Sequence, residues 1–123
     1  MTTSHPAATY QTVPVLAEVL AERARHDSRF GRQDHPDGTG PERDNPVRLA
    51  YTIGEATDVA RQVTDRALSR GTVTFAQILT EEAFEALAET DPARLRAELV
   101  QVAASAVCWI EAIDRRTTSA ARG

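Results

Sequence analysis

Lysine is absent from this chain of 123 residues, and all 14 of its cationic residues are arginines. No lysine is therefore available here to form a Schiff base or to bind a phosphate group. The single cysteine, Cys108, excludes an intramolecular disulfide and a cysteine-based zinc site. Because Cys108 lies in an apolar run, a small buried side chain is the favoured interpretation.

Long apolar runs and an excess of positive charge are missing as well. No apolar run approaches the roughly 18 residues that a membrane-spanning helix needs. The net charge of −4 argues against electrostatic binding to nucleic acid or to an anionic membrane. Residues 1–10 lack the basic and apolar regions of a secretion signal, so a cytoplasmic protein is expected.

Apolar residues recur at helical spacing along most of the chain, which predicts an all-α bundle of four to five helices. Thr74 with Gln77 forms a capping-box pattern, and Asp91 followed by Pro92 is typical of a helix start. The pattern indicates helices over residues 14–30, 47–69, 74–89 and 92–114.

The remaining segments divide the chain into one domain with two loose ends. Residues 1–13 are expected to form a flexible arm, and residues 115–123 a frayed tail. Residues 14–114 form a single predicted domain, which contains a long loop over residues 31–47 with three glycines and three prolines. Loops of this length are usually functional or disordered.

Acidic side chains lie where the apolar face of the third helix is predicted. Glu82 and Glu85 share a face with Ile78, although a solvated helix normally keeps its acids opposite the apolar face. A short connection makes the third and fourth helices an antiparallel hairpin, which can bring Glu98 and Gln101 opposite these acids. Oxygen ligands of this kind suit Mg²⁺ or Mn²⁺. A solvated acidic ridge is the alternative interpretation.

Two motifs on this hairpin resemble the MazG-like family of all-α nucleoside triphosphate pyrophosphohydrolases. They are T-F-x-x-I-L-x-E-E-x-x-E over residues 74–85 and L-R-x-E-L-V-Q-V over residues 95–102. The segment E-R-x-R … R-F-G-x-Q-x-H-P over residues 22–36 is also similar to short members of that family. The resemblance implies an all-α fold and an enzyme that hydrolyses a nucleoside triphosphate to the monophosphate and pyrophosphate. It also implies Mg²⁺ or Mn²⁺ as the cofactor.

The resemblance also implies a set of site residues. The metal ligands would be Glu82, Glu85, Glu98 and Gln101, where Gln101 replaces the usual aspartate and removes one negative charge. Glu81 or Glu85 would orient and deprotonate the attacking water. Because lysine is absent, arginines beside the long loop would meet the phosphates, and aromatic or amide side chains would hold the base. These substrate-binding candidates are Arg25, Arg29, Arg32, Phe30, Gln33, His35 and Trp109.

Three classes of function are left open by the sequence. The first is a Mg²⁺-dependent nucleotide pyrophosphohydrolase. The second is a nucleotide-binding protein on the same scaffold, which senses or sequesters its ligand because Gln101 weakens catalysis. The third is an interaction bundle without a ligand. The fourth helix is apolar around more than half of its circumference, which predicts a homodimer or homotetramer through residues 92–114.

Overall fold

The computed structural model describes residues 12–43 and 52–122, and within these ranges the chain forms four α-helices and no strand. This confirms the predicted all-α class. No helix in the same ranges is long and apolar enough to cross a lipid bilayer. The helices are α1 (Thr12–Phe30), α2 (Ile53–Arg70), α3 (Phe75–Ala88) and α4 (Pro92–Arg122).

The helices pack in a spatial order that differs from their order in the chain. Helix α2 packs against α3, α3 packs against α4, and α4 packs against α1. Within the described residues α1 and α2 do not pack against each other. The bundle therefore leaves a gap between its first two helices, and α3 and α4 form the floor of that gap.

Small residues form most of the buried core. Alanines at positions 56, 60, 67, 86, 104 and 112 are buried, and Phe75 is the bulkiest buried side chain. Two buried threonines on α2 join it to α3, since Thr57 Oγ1 donates to Phe84 O at 3.1 Å and Thr64 Oγ1 donates to Gln77 O at 3.3 Å. Small side chains let the helix axes approach closely, and the threonine hydroxyls keep their hydrogen bonds inside the interface.

Local sequence explains the helix ends around α3. Gly71 ends α2 in the left-handed conformation with φ of 69°. Thr74 and Gln77 form the predicted capping box at the start of α3, with Thr74 Oγ1 accepting from Gln77 N at 3.1 Å. Asp91 Oδ2 accepts a hydrogen bond from Arg94 N at 2.9 Å at the start of α4.

Three predicted boundaries differ from the structure. Helix α1 begins at Thr12, inside the predicted arm. Helix α2 begins at Ile53, whereas the sequence predicted a start at residue 47; residues 47–51 lie outside the described residues. Helix α4 continues to Arg122, beyond the apolar pattern that ends near residue 114. Polar contacts stabilise this extension of α4, because Arg115 and Arg116 bind the loop that follows α1.

That loop, residues 31–43, is docked onto the bundle. Arg115 Nη2 donates to Gln33 O at 2.8 Å, and Arg116 Nη2 donates to His35 O at 2.7 Å. Phe75 N at the start of α3 donates to Pro36 O at 2.9 Å. Gly38 lies against Thr74 with φ of +76°, and a Cβ at this position would lie 2.4 Å from Thr74 Oγ1. Only glycine suits both the backbone angle and the close approach.

Candidate functional site

A cavity of about 700 Å³ occupies the gap between α1 and α2. Helices α3 and α4 form its floor, and the start of the docked loop closes one end. Its walls combine aromatic and carboxylate side chains. The residues considered below that line it are His26, Phe30, Arg32, Gln33, Asp34, His35, Phe75, Glu81, Glu82, Ser105 and Cys108.

Glu82 is the carboxylate held most firmly in the cavity wall. Ser105 Oγ on α4 donates to Glu82 Oε2 at 2.5 Å. The pKa of Glu82 is raised to about 7, mainly by burial. Repulsion from Glu85, Glu81 and Glu98 contributes to the rise, and the hydrogen bond from Ser105 opposes it. The charged neighbours acting on Glu82 are thus all acidic, so its ionised form is destabilised near neutral pH.

Glu81 lines the cavity beside Glu82 and has a similarly raised pKa. The pKa of Glu81 is raised to about 7, mainly by burial. Glu85 and Asp65 contribute to the rise, and Arg61 opposes it. A carboxylate with a pKa near neutrality is suited to accept a proton at physiological pH. The sequence analysis named Glu81 or Glu85 as the general base, and the raised pKa of Glu81 is compatible with that role, which stays a prediction.

Glu85 and Glu98 extend the acidic group away from the cavity lining. Arg61 Nε on α2 donates to Glu85 Oε2 at 3.1 Å, so Glu85 has a cationic partner. Burial raises the pKa of Glu98, and Glu85 and Glu89 raise it further. Four carboxylates thus influence one another across the α3–α4 hairpin, and we call Glu81, Glu82, Glu85 and Glu98 the carboxylate cluster.

The cluster fits a hard divalent cation in charge and in donor chemistry. Its ligand atoms are all carboxylate oxygens, the donors that Mg²⁺ and Mn²⁺ prefer. A cation would remove the mutual repulsion and the cost of burial that raise these pKa values. Among the described residues no three acidic, histidine or cysteine side chains are close enough to hold a metal as they stand. Metal binding would therefore require the cluster side chains to rotate toward one another.

Gln101 is directed to α1 rather than to the cluster. Its Nε2 donates to Glu22 Oε2 at 2.6 Å, and its Oε1 lies 3.1 Å from His26 Nε2. Glu22 is buried, and although burial acts to raise its pKa, hydrogen bonds from Arg25 and Gln101 lower that pKa overall. The amide thus supplies a donor that a buried carboxylate needs, which an aspartate at this position could not supply.

His26 is a cavity residue that the sequence analysis did not single out. Its Nε2 lies 2.9 Å from Glu22 Oε2 as well as close to the Gln101 oxygen, so both neighbours of this nitrogen are acceptors. Nε2 must therefore carry the proton, which leaves Nδ1 as the nitrogen available for another partner. The Glu22–His26 spacing of i to i+4 on a helix was the signal that could have revealed the pair.

Aromatic rings lie at the loop end of the cavity. His35 packs edge-on to Phe75 with ring centroids 5.0 Å apart, and His26 packs edge-on to Phe30 at 6.1 Å. Burial lowers the pKa of His35 despite the nearby Asp34 carboxylate, so its neutral form is favoured. The predicted residues Phe30, Arg32, Gln33 and His35 therefore share one cavity with Glu81 and Glu82.

The other three predicted substrate residues lie outside the cavity lining. Arg25 pairs with Glu22, and the Arg29 guanidinium lies over the Phe30 ring at 5.0 Å. Trp109 stacks on Phe75 at 5.6 Å, and its Nε1 donates to Asp37 Oδ1 at 2.7 Å. Trp109 thus packs behind the cavity wall and anchors the loop, because its ring faces the core and its only donor is used by Asp37.

Arg61 and Ser105 are two further residues that the sequence analysis missed. Ser105 lies two turns beyond Glu98 on the same face of α4, which is the pattern that could have placed it near the cluster. Arg61 contacts the cluster from another helix, and no local pattern predicts that contact. Comparisons with protein-family models, with curated proteins and with solved structures found no match for this chain.

Proposed function

We propose that this chain is a MazG-like, Mg²⁺-dependent nucleoside triphosphate pyrophosphohydrolase. The observation that carries the proposal is a single cavity in which Glu81 and Glu82 lie at one end and Phe30, His35 and Phe75 at the other. A nucleotide has the same division, since the planar faces of its base stack on aromatic rings and its phosphates bind cations. The resemblance over residues 74–85 and 95–102 points to the same reaction.

The proposed reaction assigns separate tasks to the cluster and to the aromatic end. Bound Mg²⁺ would neutralise the charge on the triphosphate, and Glu82, Glu85 and Glu98 are the residues that would hold it. Glu81 would take a proton from water as that water attacks the α-phosphorus, while the bond to the β-phosphate oxygen breaks and pyrophosphate leaves. The base would lie against Phe30 and His35, with the Gln33 amide available for hydrogen bonding.

Pyrophosphate release across a panel of ribo- and deoxynucleoside triphosphates tests this proposal. We expect turnover with Mg²⁺ or Mn²⁺ and none in excess EDTA, because the half-buried carboxylate cluster needs a cation before it can accept a triphosphate. Phosphate release without pyrophosphate would contradict cleavage at the α–β linkage. Absence of both turnover and nucleotide binding would favour the interaction bundle instead.

A nucleotide-binding protein without turnover is the second candidate function. It is favoured by the position of Gln101, whose amide is used by Glu22 and His26 and lies at the position of the family's fourth metal ligand. A site with three carboxylate ligands holds Mg²⁺ less tightly than one with four. Saturable Mg²⁺-dependent binding of a triphosphate that stays intact for hours would support this candidate over the enzyme.

Self-association through α4 is also part of the proposal. Leu99, Ile110 and Ile113 on α4 are 53%, 57% and 41% exposed, and Leu16 and Leu20 on α1 are exposed as well. Burial of such side chains against a second copy removes apolar surface from water. We expect a dimer or tetramer by size-exclusion chromatography with light scattering, and a shift toward monomer in Ile110→Glu but not in Thr118→Glu. A monomeric wild type would contradict the proposal.

A further inference from the structure

A second cavity lies between α1, α4 and the docked loop. It measures about 340 Å³, roughly half the volume of the first, and is lined by Arg23, Asp27, Arg32, Gln33, Glu111 and Arg115. Arg32 and Gln33 line both cavities, so the loop separates the two. The proposed reaction assigns no role to the three arginines that meet here, although the sequence analysis named Arg32 as a candidate for phosphate binding.

Arg23 is buried in the wall of this cavity with one donor left over. It is only 7% exposed, and its Nε and Nη2 donate to Glu111 Oε1 at 3.2 and 2.7 Å. Nη2 also donates to Asp27 Oδ1 at 2.9 Å. Its Nη1 is buried and has no hydrogen-bond partner in the described part of the chain. A buried cationic donor without an acceptor is unfavourable, so an acceptor that reached Nη1 after a shift of the neighbouring side chains would be stabilised.

Arg115 contributes a second donor of the same kind from α4. Its Nη2 donates to Gln33 O at 2.8 Å and to Asp34 Oδ1 at 3.3 Å. Its Nε is buried and likewise has no acceptor among residues 12–43 and 52–122. Two arginines from two helices, each with an unused buried donor, therefore line one cavity, and a side-chain movement would be needed to bring those donors to its surface.

The acidic partners of these arginines lie closer to solvent than Arg23 does. The side chains of Asp27, Glu111 and Asp34 are 56%, 46% and 48% exposed, whereas that of Arg23 is 8% exposed. Water and salt screen the exposed carboxylates more strongly than the buried guanidinium. The electrostatic potential in the inner part of the cavity is consequently more positive than the numbers of acidic and basic residues indicate.

We propose that the second cavity is a binding site for a phosphate-type oxyanion, held by Arg23 and Arg115 with Arg32 at its mouth. Planar guanidinium groups bind tetrahedral oxyanions through paired N–H donors. Inorganic phosphate and a nucleotide phosphoryl group share this chemistry, and the smaller volume favours the free ion. The proposal is independent of the proposed enzymatic function, because it uses no residue of the carboxylate cluster.

Titration of ¹⁵N-labelled protein with inorganic phosphate tests this site. The titration is performed in EDTA at constant ionic strength, with chloride as the reference, so that a metal-dependent site cannot respond. We expect a saturable shift of the Arg115 Nε–H resonance in wild type and an unchanged affinity in the matched control Arg116→Gln. In Arg115→Gln, we expect the saturable shift of the Arg23 Nε–H resonance to be lost. Arg116 also binds the loop but does not line this cavity.

A second variant keeps the test decisive if Arg115→Gln does not fold. Glu111→Gln removes a negative charge beside Arg23, and we expect phosphate to bind roughly threefold more tightly. Tighter binding of a nucleoside monophosphate than of phosphate at the same resonance would identify the occupant as a nucleotide phosphoryl group. Equal, non-saturating shifts in wild type and Glu111→Gln would mean an adventitious ion only and would overturn the proposal.

Discussion

Glu82→Gln is expected to lower metal-dependent pyrophosphate release by at least about a hundredfold while making the fold more stable above pH 7. The loss of activity follows because an amide carries no charge to offset the cation. The gain in stability follows because loss of hydration, with a smaller contribution from acidic neighbours, raises the pKa of this half-buried carboxylate to about 7. Function and stability therefore make opposite demands on this one side chain.

The two readouts of this variant distinguish a functional residue from a structural one. We expect the unfolding free energy of Glu82→Gln to exceed that of wild type by about 1 kcal/mol at pH 8, after allowance for solvent screening. The difference should shrink as the pH falls and vanish below about pH 4, where Glu82 is protonated in both the folded and the unfolded protein. Glu42→Gln, at an exposed loop position, is the matched control and should change neither quantity. Full activity in Glu82→Gln would exclude the cluster as the metal site.

The second large effect is a fall in stability as the pH rises from about 5 to 8. Burial raises the pKa values of Glu81 and Glu82 from an ordinary value of 4.5 to about 7. Between these values the folded protein binds more protons than the unfolded chain, so raising the pH favours unfolding. We expect a loss of about 2 kcal/mol over this range, measured by urea unfolding at each pH.

Glu22 and His35 act in the opposite direction, because each lowers the stability of the fold as the pH falls. The pKa of Glu22 is lowered overall, so its contribution is lost as the pH falls below 4.5. Burial lowers the pKa of His35, which favours unfolding as the pH falls through about 6.5 and partly offsets the two glutamates. Stability should therefore be greatest near pH 5, on the acidic side of neutrality.

Magnesium should reverse the alkaline fall. Its ligands must be deprotonated, so saturating Mg²⁺ should stabilise the protein more at pH 8 than at pH 5. Unfolding curves with Mg²⁺ and with EDTA at both pH values measure this difference. Glu82→Gln should lose most of the Mg²⁺ effect. An equal Mg²⁺ effect at the two pH values would contradict metal binding by the cluster.

Local sequence patterns determined the helices and several of their ends. Gly71, the Thr74–Gln77 capping box and Asp91–Pro92 each act within one turn of the chain, so the residues that decide the structure are neighbours in sequence. Helical spacing likewise predicted that Glu82 faces the interior, because a face of a helix is set by its period alone.

Contacts between segments that are distant in the sequence decided where the cavity lies and which way its side chains point. The cavity exists because α1 and α2 do not pack together in the described structure, and no sequence pattern states which helices will touch. Gln101 binds Glu22 and His26 across α1 and α4, although its position in the motif predicts a place beside Glu98. A motif gives the order of side chains along one helix, whereas their direction depends on which acceptors the neighbouring helix presents.

Residues 115–123 and Trp109 also show which features depend on the sequence alone and which depend on the tertiary structure. The sequence alone determined that residues 115–123 contain no apolar face, but the tertiary structure supplied polar partners that extend α4, because Arg115 and Arg116 bind the loop after α1. The sequence also determined that Trp109 lies on the apolar face of its helix. Only the fold decided that its Nε1 would be bonded to Asp37, since that acceptor is brought near by loop docking rather than by any local interaction.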